Sequence, residues 1–477
     1  MKKTHRIYRL FPALMLCAAV SGKAQTSTDV QAPPAAPVVP ANSIENLNYL
    51  AGDAEMPPFS DSIIPVDSEF RQALFEKGVA LRVIAQTQYA QNLLGAPVPA
   101  DQQVYVGQRQ YASAMVQPIL TADLRQLHLR KAQFYLGGVL NRSSWNTANP
   151  KAFQMWDMYL YKSFGDDRVQ MKVGYLSLDL EFVGFFVGGS TASGASGVYA
   201  VLPYEVGMAY FPLSTPAVIS RIRATPNTYI KLAAQRSVDP QGGTAEIARN
   251  HTGFRFRPHG DKVLFVGEGG YFRKASNEAR EVWFRAGYMY NTSAYKNLVS
   301  AQPESGNYCG YVLMDYQLLK SNLEHANQGL YFGGSFMTVP ESVNVYARYF
   351  EARLYKEAPF RSRPADLLSV VASRSAYSKS HTDSLTAQGK TVWRDSTALT
   401  ASYSMRVSAG NYLDVGLGYV HGPAVTPKVS NPLKLTASWT AFFQRSRVSV
   451  PKSRPADRIL SGTPFTRAHR APDRCDR

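Results

Sequence analysis

Residues 79–89 read VALRVIAQTQY, and the order of these residues decides between the fold classes open to the chain. Val79, Leu81, Val83, Ala85, Thr87 and Tyr89 fall on one face of an extended segment; Arg82, Gln86 and Gln88 fall on the other. Strand side chains point alternately to opposite faces, so one apolar and one polar set at period two predicts a half-buried strand. The pattern returns downstream. Phe134, Leu136 and Leu140 interleave with Gln133 and Tyr135, and Val169, Met171, Val173 and Tyr175 with Gln170 and Lys172. Phe254 and Phe256 alternate with Arg255 and Arg257; Val343, Val345, Ala347 and Tyr349 alternate with Asn344, Tyr346 and Arg348. Near the end, Leu433, Leu435, Ala437, Trp439, Ala441 and Phe443 alternate with Lys434, Thr436, Ser438 and Thr440.

Composition narrows what such strands build. The 477 residues are 45% hydrophobic, 12% aromatic and 18% charged, with 28 Tyr and 34 Gly. A charged share below the usual value of about 25% with so much Tyr and Gly favours strands and turns. No apolar run approaches the ~18 residues of a membrane-spanning helix, and the apolar content is too high for bulk disorder. An all-β protein remains, either a membrane barrel or a secreted soluble β-sandwich that binds carbohydrate. The barrel is favoured because the strands have the ~9–11 residues needed to cross a bilayer at a tilt. Tyr288, Tyr290, Tyr295, Phe442 and Phe443 also cluster near strand ends, where rings would sit at the lipid boundary. At roughly 20–25 residues per strand and connection, residues 79–443 give about 15–18 strands, and an even number suggests 16. The expectation is a transmembrane antiparallel β-barrel, wide enough for an aqueous channel.

The flanks read differently. Lys2, Lys3, Arg6 and Arg9, then the apolar stretch Leu10–Val20 and Gly22-Lys23-Ala24, have the layout of a secretory leader over residues 1–24. Leu16 before Cys17 argues against lipidation. Residues 25–67 contain QAPPAAPVVPANS and read as a periplasmic linker. Ser68 then caps a short helix over 68–78, ended by Gly78. The net charge of +17 is concentrated at the ends: the leader has five basic residues and no acidic ones, and 444–477 has nine basic and three acidic. The body, 25–443, keeps a net of +6, which does not suggest nucleic-acid binding. The tail 444–477 reads as a basic disordered extension. Beyond the leader, Cys309 and Cys475 form no disulfide framework and lack a zinc-ligand pattern.

Further segments carry a resemblance. Phe70 to Gly78 followed by a strand, Met155-Trp156-Asp157-Met158-Tyr159 with Gly174-Tyr175-Leu176, and Tyr210-Phe211-Pro212 with Arg221-Ile222-Arg223 and Asp239-Pro240 occur in order. His251-Thr252-Gly253-Phe254-Arg255-Phe256 follows, with Glu268 and Tyr271. Then come Asn307-Tyr308 through Tyr311-Val312-Leu313, Asp315-Tyr316-Gln317 and Arg363-Pro364-Ala365-Asp366. Their order from about Phe70 to Phe443 resembles the OprB-type carbohydrate-selective porins, with Tyr316 as an insertion in the family's GxYxxxDQ region. The resemblance implies a monomeric 16-stranded channel in the outer membrane of a Gram-negative-type bacterium, passing glucose-like sugars by diffusion. In such barrels the assembly machinery recognises a final strand ending on an aromatic residue; Phe443 fits that role, with 34 residues after it.

A sugar channel needs no catalyst and no cofactor. It needs luminal donors and acceptors that replace hydration of hydroxyls and still release the solute. Arginine suits this through its planar fork of donors. Arg221, Arg223, Arg255, Arg257 and Arg348 are therefore expected to line the lumen, since a charge facing lipid near the midplane costs roughly 2–4 kcal/mol. Glu268 is expected there too, paired with an arginine, together with Asn344 and with Tyr346 as a surface for sugar rings. The same arginines leave open an anion- or phosphate-preferring channel, or a general porin. Enzyme chemistry finds no support. The eight His residues form no HExxH, and Gly188-Gly189-Ser190-Thr191-Ala192 lacks the last glycine of a nucleophile elbow. A barrel hydrolase would need a Ser/His pair, for which His251 and His421 are the histidines to consider.

Overall fold

The computed structural model describes residues 61–63, 69–95, 98–145, 153–183, 201–256, 261–321 and 325–443, without the side chains of 69–72. The expected leader, most of the linker, Ser68, Arg257 and the basic tail lie outside the described residues. Helix α1 (Glu69–Glu76) ends at Gly78, which adopts φ +72°. The chain then enters β1 (Val79–Asn92), β2 (Tyr111–Asp123), β3 (Ala132–Ser143), β4 (Phe153–Phe164) and β5 (Val169–Leu176). After α2 (Leu202–Glu205) follow β6 (Thr215–Arg223) and β7 (Thr228–Arg236), then α3 (Gly243–Arg249), β8 (Val263–Arg273), β9 (Val282–Lys296) and β10 (Pro303–Lys320). The last elements are β11 (Gly329–Thr338), β12 (Tyr346–Glu357), β13 (Leu367–Tyr377), α4 (Lys379–Ala387), β14 (Asp395–Ser408), β15 (Asn411–His421) and β16 (Leu433–Phe443).

Each strand pairs antiparallel with its neighbours in sequence, and β16 pairs with β1 from Val83↔Phe443 to Asn92↔Lys434, closing a barrel of sixteen strands. No helix among the described residues is long and apolar enough to cross a membrane. One rim carries short turns such as 165–168, 224–227 and 409–410 together with α1. The other carries the long connections 93–110, 177–214, 237–262 and 378–394.

Period two survives in three dimensions. Exposed Leu160, Val218, Ile230, Leu232 and Phe265 form an outward apolar band, with their neighbours in sequence buried inside, and Val173, Ile222 and Phe284 extend it. Tyr288 and Tyr290 lie on the outer face, with Tyr288 stacked on Tyr308 at 5.9 Å. Tyr295 and Phe442, by contrast, point inward. Tyr295 is 4% exposed and hydrogen-bonds Asn291 at 2.9 Å, and Phe442 packs on Tyr412. Position near a strand end was a poor guide for these two because parity, not rim position, sets the face.

Two sequence assignments are corrected. Residues 250–256 are a turn after α3, with no strand at Phe254–Phe256. In β12 the alternation slips: Tyr346 faces Tyr377 and Arg348 faces Ala376, so Ala347 is an extra residue. Such a bulge shifts every later side chain to the opposite face. Ala347, Tyr349, Glu351 and Arg353 therefore point inward, and Arg348 points outward.

A clasp fastens the turn rim. Asp61, 1% exposed, accepts from Arg406 Nη2 at 2.9 Å, from the Gly410 amide at 2.8 Å and from the Tyr412 hydroxyl. The Ser62 hydroxyl and the Ile63 amide both donate to the Phe442 carbonyl at 2.9 Å. Gly410 has no room for more: a Cβ there would meet Ser62 Cα at 2.6 Å. Replacing Asp61 by Ala removes charge-assisted bonds worth on the order of 2 kcal/mol. Asp61→Ala should lower the temperature at which the compact barrel converts to the unfolded band in a heat-modifiability gel; an unchanged transition would show the clasp to be dispensable.

Candidate functional site

The long connection after β5 folds against the inner wall. Its first part, Leu178–Leu180, is a turn of 3-10 helix, and Leu178, Phe182 and Val183 are buried inside the barrel. Three cations on alternate strands hold it. Lys172 on β5 donates to the Glu181 carboxylate, Lys231 on β7 to the Glu181 carbonyl, and Arg285 on β9 to the Phe182 carbonyl at 2.9 Å. All occupy inward positions of period two: Arg285, for example, lies between outward Phe284 and Ala286. Arg285 also stacks on Trp283 at 3.9 Å.

Glu268 stands beside this grip, opposite Lys231 and 2% exposed. Its carboxylate accepts from Tyr229 at 3.1 Å and Tyr311 at 2.9 Å. Two glycines let the rings reach it: a Cβ at Gly270 would meet Tyr229, and one at Gly287 would meet Tyr311, each at 2.2 Å. Trp283 Nε1 completes the chain by donating to the Tyr229 hydroxyl at 3.0 Å. A second cluster lies on β10–β12, where Arg353 bonds Asp315 at 3.0 Å, Ser335 at 3.0 Å and the Glu351 carboxylate. A third, at the loop rim, sets Arg236 between Glu246 and Asp261, each at 2.7 Å.

The residues singled out in the sequence scatter around this site. Arg221 is inward on β6, with its guanidinium 4.4 Å from the Tyr229 ring, and so joins the Glu268 cluster. Arg223 ends β6 on the same face, exposed at the turn rim. Glu268 is inward as expected, and its carboxylate accepts from two tyrosines. Arg255 lies in the turn that stands where the strand was expected, donating to the Arg249 carbonyl at 2.8 Å. Asn344 precedes β12, 1% exposed and in reciprocal 2.9 Å bonds with Asn307. Tyr346 packs on Tyr377 at 4.9 Å, and its amide donates to Glu205, so it braces α2. Arg348 faces outward near the loop rim, 3.7 Å from Glu341, on the far side of the bulge. The grip residues Lys172, Lys231 and Arg285 were missed, although the Gln170–Lys172 alternation already marked one inward lysine.

The connection also carries buried carboxyls. Burial pushes Glu205 from 4.5 up to about 8, against the opposing pull of the Tyr346 and Val345 amides; burial likewise raises Asp179 from 3.8 to about 7. A carboxyl raised by folding stabilises the docked state fully below its unfolded value, about 4. That stability is lost as pH rises through the folded value. Hydrogen exchange of residues 178–183 and 201–208, corrected for intrinsic rates, should therefore speed up between pH 5 and 9; flat protection would refute the coupling. Glu181→Gln leaves Lys172 without its carboxylate, and breaking such a buried pair costs about 3–5 kcal/mol. It should raise open-channel current noise in planar bilayers as the connection loosens, and wild-type noise would place the grip elsewhere.

Comparison with known proteins sharpens the picture. The carbohydrate-selective porin, OprB family, matches residues 76–441. No curated protein matches the chain. The high-pH structure of Pseudomonas putida OprB is 16% identical, with a TM-score of 0.67 over 80% of this chain and 99% of that one. Its low-pH structure is 14% identical, with a TM-score of 0.49 over 80% and 100% of the two chains. Salmonella typhi OmpF in complex with daunomycin is 9% identical, with a TM-score of 0.47 over 77% and 99%. At 16% identity the first likeness concerns the barrel fold alone. The family match spans most of the chain, through nearly every strand of the barrel: the chain belongs to the OprB family of carbohydrate-selective porins.

Proposed function

We propose that this porin sits in the outer membrane of a Gram-negative-type bacterium as a monomer and lets small neutral sugars of glucose size diffuse inward. The family and the fold are those of channels rather than enzymes. The observation that carries the neutral-solute reading is that inner-wall cations are engaged by protein acceptors. Lys172 meets Glu181, Arg353 meets Glu351 and Asp315, Arg236 meets Glu246 and Asp261, and Lys231 and Arg285 hold carbonyls. Charges matched in this way leave a polar wall with little net field, which favours hydroxyl-bearing solutes over anions. Arg221 and Glu268, with Tyr229 between them, would edge the narrowing, and Arg223 would face the turn-side exit. Arg255, Asn344 and Arg348 are left out of that narrowing in this reading.

Liposomes containing the refolded protein should swell quickly in glucose, slowly in larger oligosaccharides and no faster in small anions. Anion-preferring entry would establish the phosphate-type alternative, and no entry from a heat-modifiable sample would refute the open channel.

A further inference from the structure

Lys434 breaks the pattern of matched charge. It points into the barrel from the start of β16 and is 2% exposed. Among the described residues its ammonium has no hydrogen-bonding or ionic partner. A buried ammonium without a counter-charge is strongly unfavourable, so such a group either sheds its proton or takes an anion.

The barrel register supplies the surroundings. Asn92 on β1 faces Lys434, Lys434 faces Gly418 on β15, and Gly418 faces Thr400 on β14. With strands about 4.8 Å apart, the row covers roughly 14 Å of wall near the loop rim. Gly418 is a notch in that row: a Cβ there would stand 2.8 Å from Thr400 Oγ1. Asn92 spends its side-chain oxygen on the amides of Leu94 (3.1 Å) and Leu433 (3.2 Å). Among the described residues its Nδ2 has only the Tyr105 hydroxyl, at 3.5 Å. Burial pushes Tyr105 up to about 12, so this phenol stays a neutral donor at ordinary pH. Lys434 and the Thr400 hydroxyl thus flank the notch, with the Asn92 amide and the Tyr105 hydroxyl at the far side of Lys434.

The next row toward the turns is Ala90, Thr436, Gly416 and Ser402, small or hydroxyl-bearing throughout, with Ser402 2.9 Å from Ser369. Beyond it Asp414 accepts from Ser438 at 2.9 Å, and its other oxygen has no partner among the described residues. The wall is therefore polarised, with a cation at the loop end and a carboxylate at the turn end. A carboxylate-bearing solute gains at Lys434 and is repelled at Asp414. A phosphate dianion would want more than one cation.

We propose that the Asn92–Lys434–Gly418–Thr400 row is a binding station for the carboxylate of an acidic sugar, a uronate or aldonate, entering from the loop rim. This rests on the reading of the chain as a sugar channel and extends it to charged sugars. The segment 98–110, which carries Tyr105, yields as the solute reaches the ammonium, and the hydroxyl row beneath takes the sugar ring.

The test uses the full refolded chain in liposomes, comparing entry of glucuronate with entry of glucose, and reversal potential in a potassium chloride gradient. Lys434→Met should lower the glucuronate-to-glucose ratio severalfold, and Lys434→Arg should keep it. An unchanged ratio in Lys434→Met overturns the proposal. A loss of chloride preference as large as the loss of glucuronate entry also overturns it, by showing a general anion site. If Lys434→Met gives no heat-modifiable barrel, Gly418→Ala serves, since it fills the notch and keeps the ammonium. The same fall in ratio supports the station, and no fall refutes it. Failure of glucose to enter through the wild type would instead strike the channel reading itself.

Discussion

Everything in this molecule depends on the pairing of β1 with β16. A strand edge in hydrocarbon exposes amides and carbonyls that nothing can satisfy, each at a cost of several kcal/mol. The ten pairs from Val83↔Phe443 to Asn92↔Lys434 remove both edges at once. They also fix the register around the ring, and with it which side chains look inward. Outward positions are then left to Leu, Val, Ile and aromatic residues. Near the loop rim, where the cost of charge falls, Arg348 and Arg374 sit outside beside Glu341 and Asp395.

Inside the ring the constraint is electrostatic. The wall and the connections that fold against it carry many ionisable groups, and the structure balances most of them locally. The balance is also mechanical: the cations that would repel one another are the ones that anchor the connection after β5. Gly270 and Gly287 matter for the same reason, because they clear the space through which two tyrosines reach Glu268. Charge, glycine and aromatic positions on β7–β10 form one arrangement. Lys434 stands apart from it, across the barrel on the seam.

Period two carried the fold. The strands at Val79, Gln133, Val169 and Leu433 were legible because each alternates without interruption, and a parity argument needs nothing else. It failed where local geometry breaks parity. At β12 a single extra residue, Ala347, reverses the faces, and nothing in VYARYF announces it. At Phe254–Arg257 two aromatic and two basic residues alternate, but four positions are too few to outweigh the helix and turn that precede them. The grip on the connection after β5 was hidden for another reason. Lys172, Lys231 and Arg285 lie on three strands far apart in sequence, and their common target is mainly backbone carbonyl, which no side-chain pattern reveals.

The seam has a kinetic consequence. Gln86 and Thr440, which touch across it, are 354 residues apart in sequence. Every other strand pair is joined by a local connection, so the sheet can grow hairpin by hairpin while the first and last edges stay open. Loop-closure entropy makes the long-range pair the costliest to form, and contact order places it late. Until then the chain is a curved sheet with two adhesive borders, the state most prone to pair with another molecule. Whether the chain folds or sticks to another copy therefore hinges on how those two borders are shielded until the seam closes.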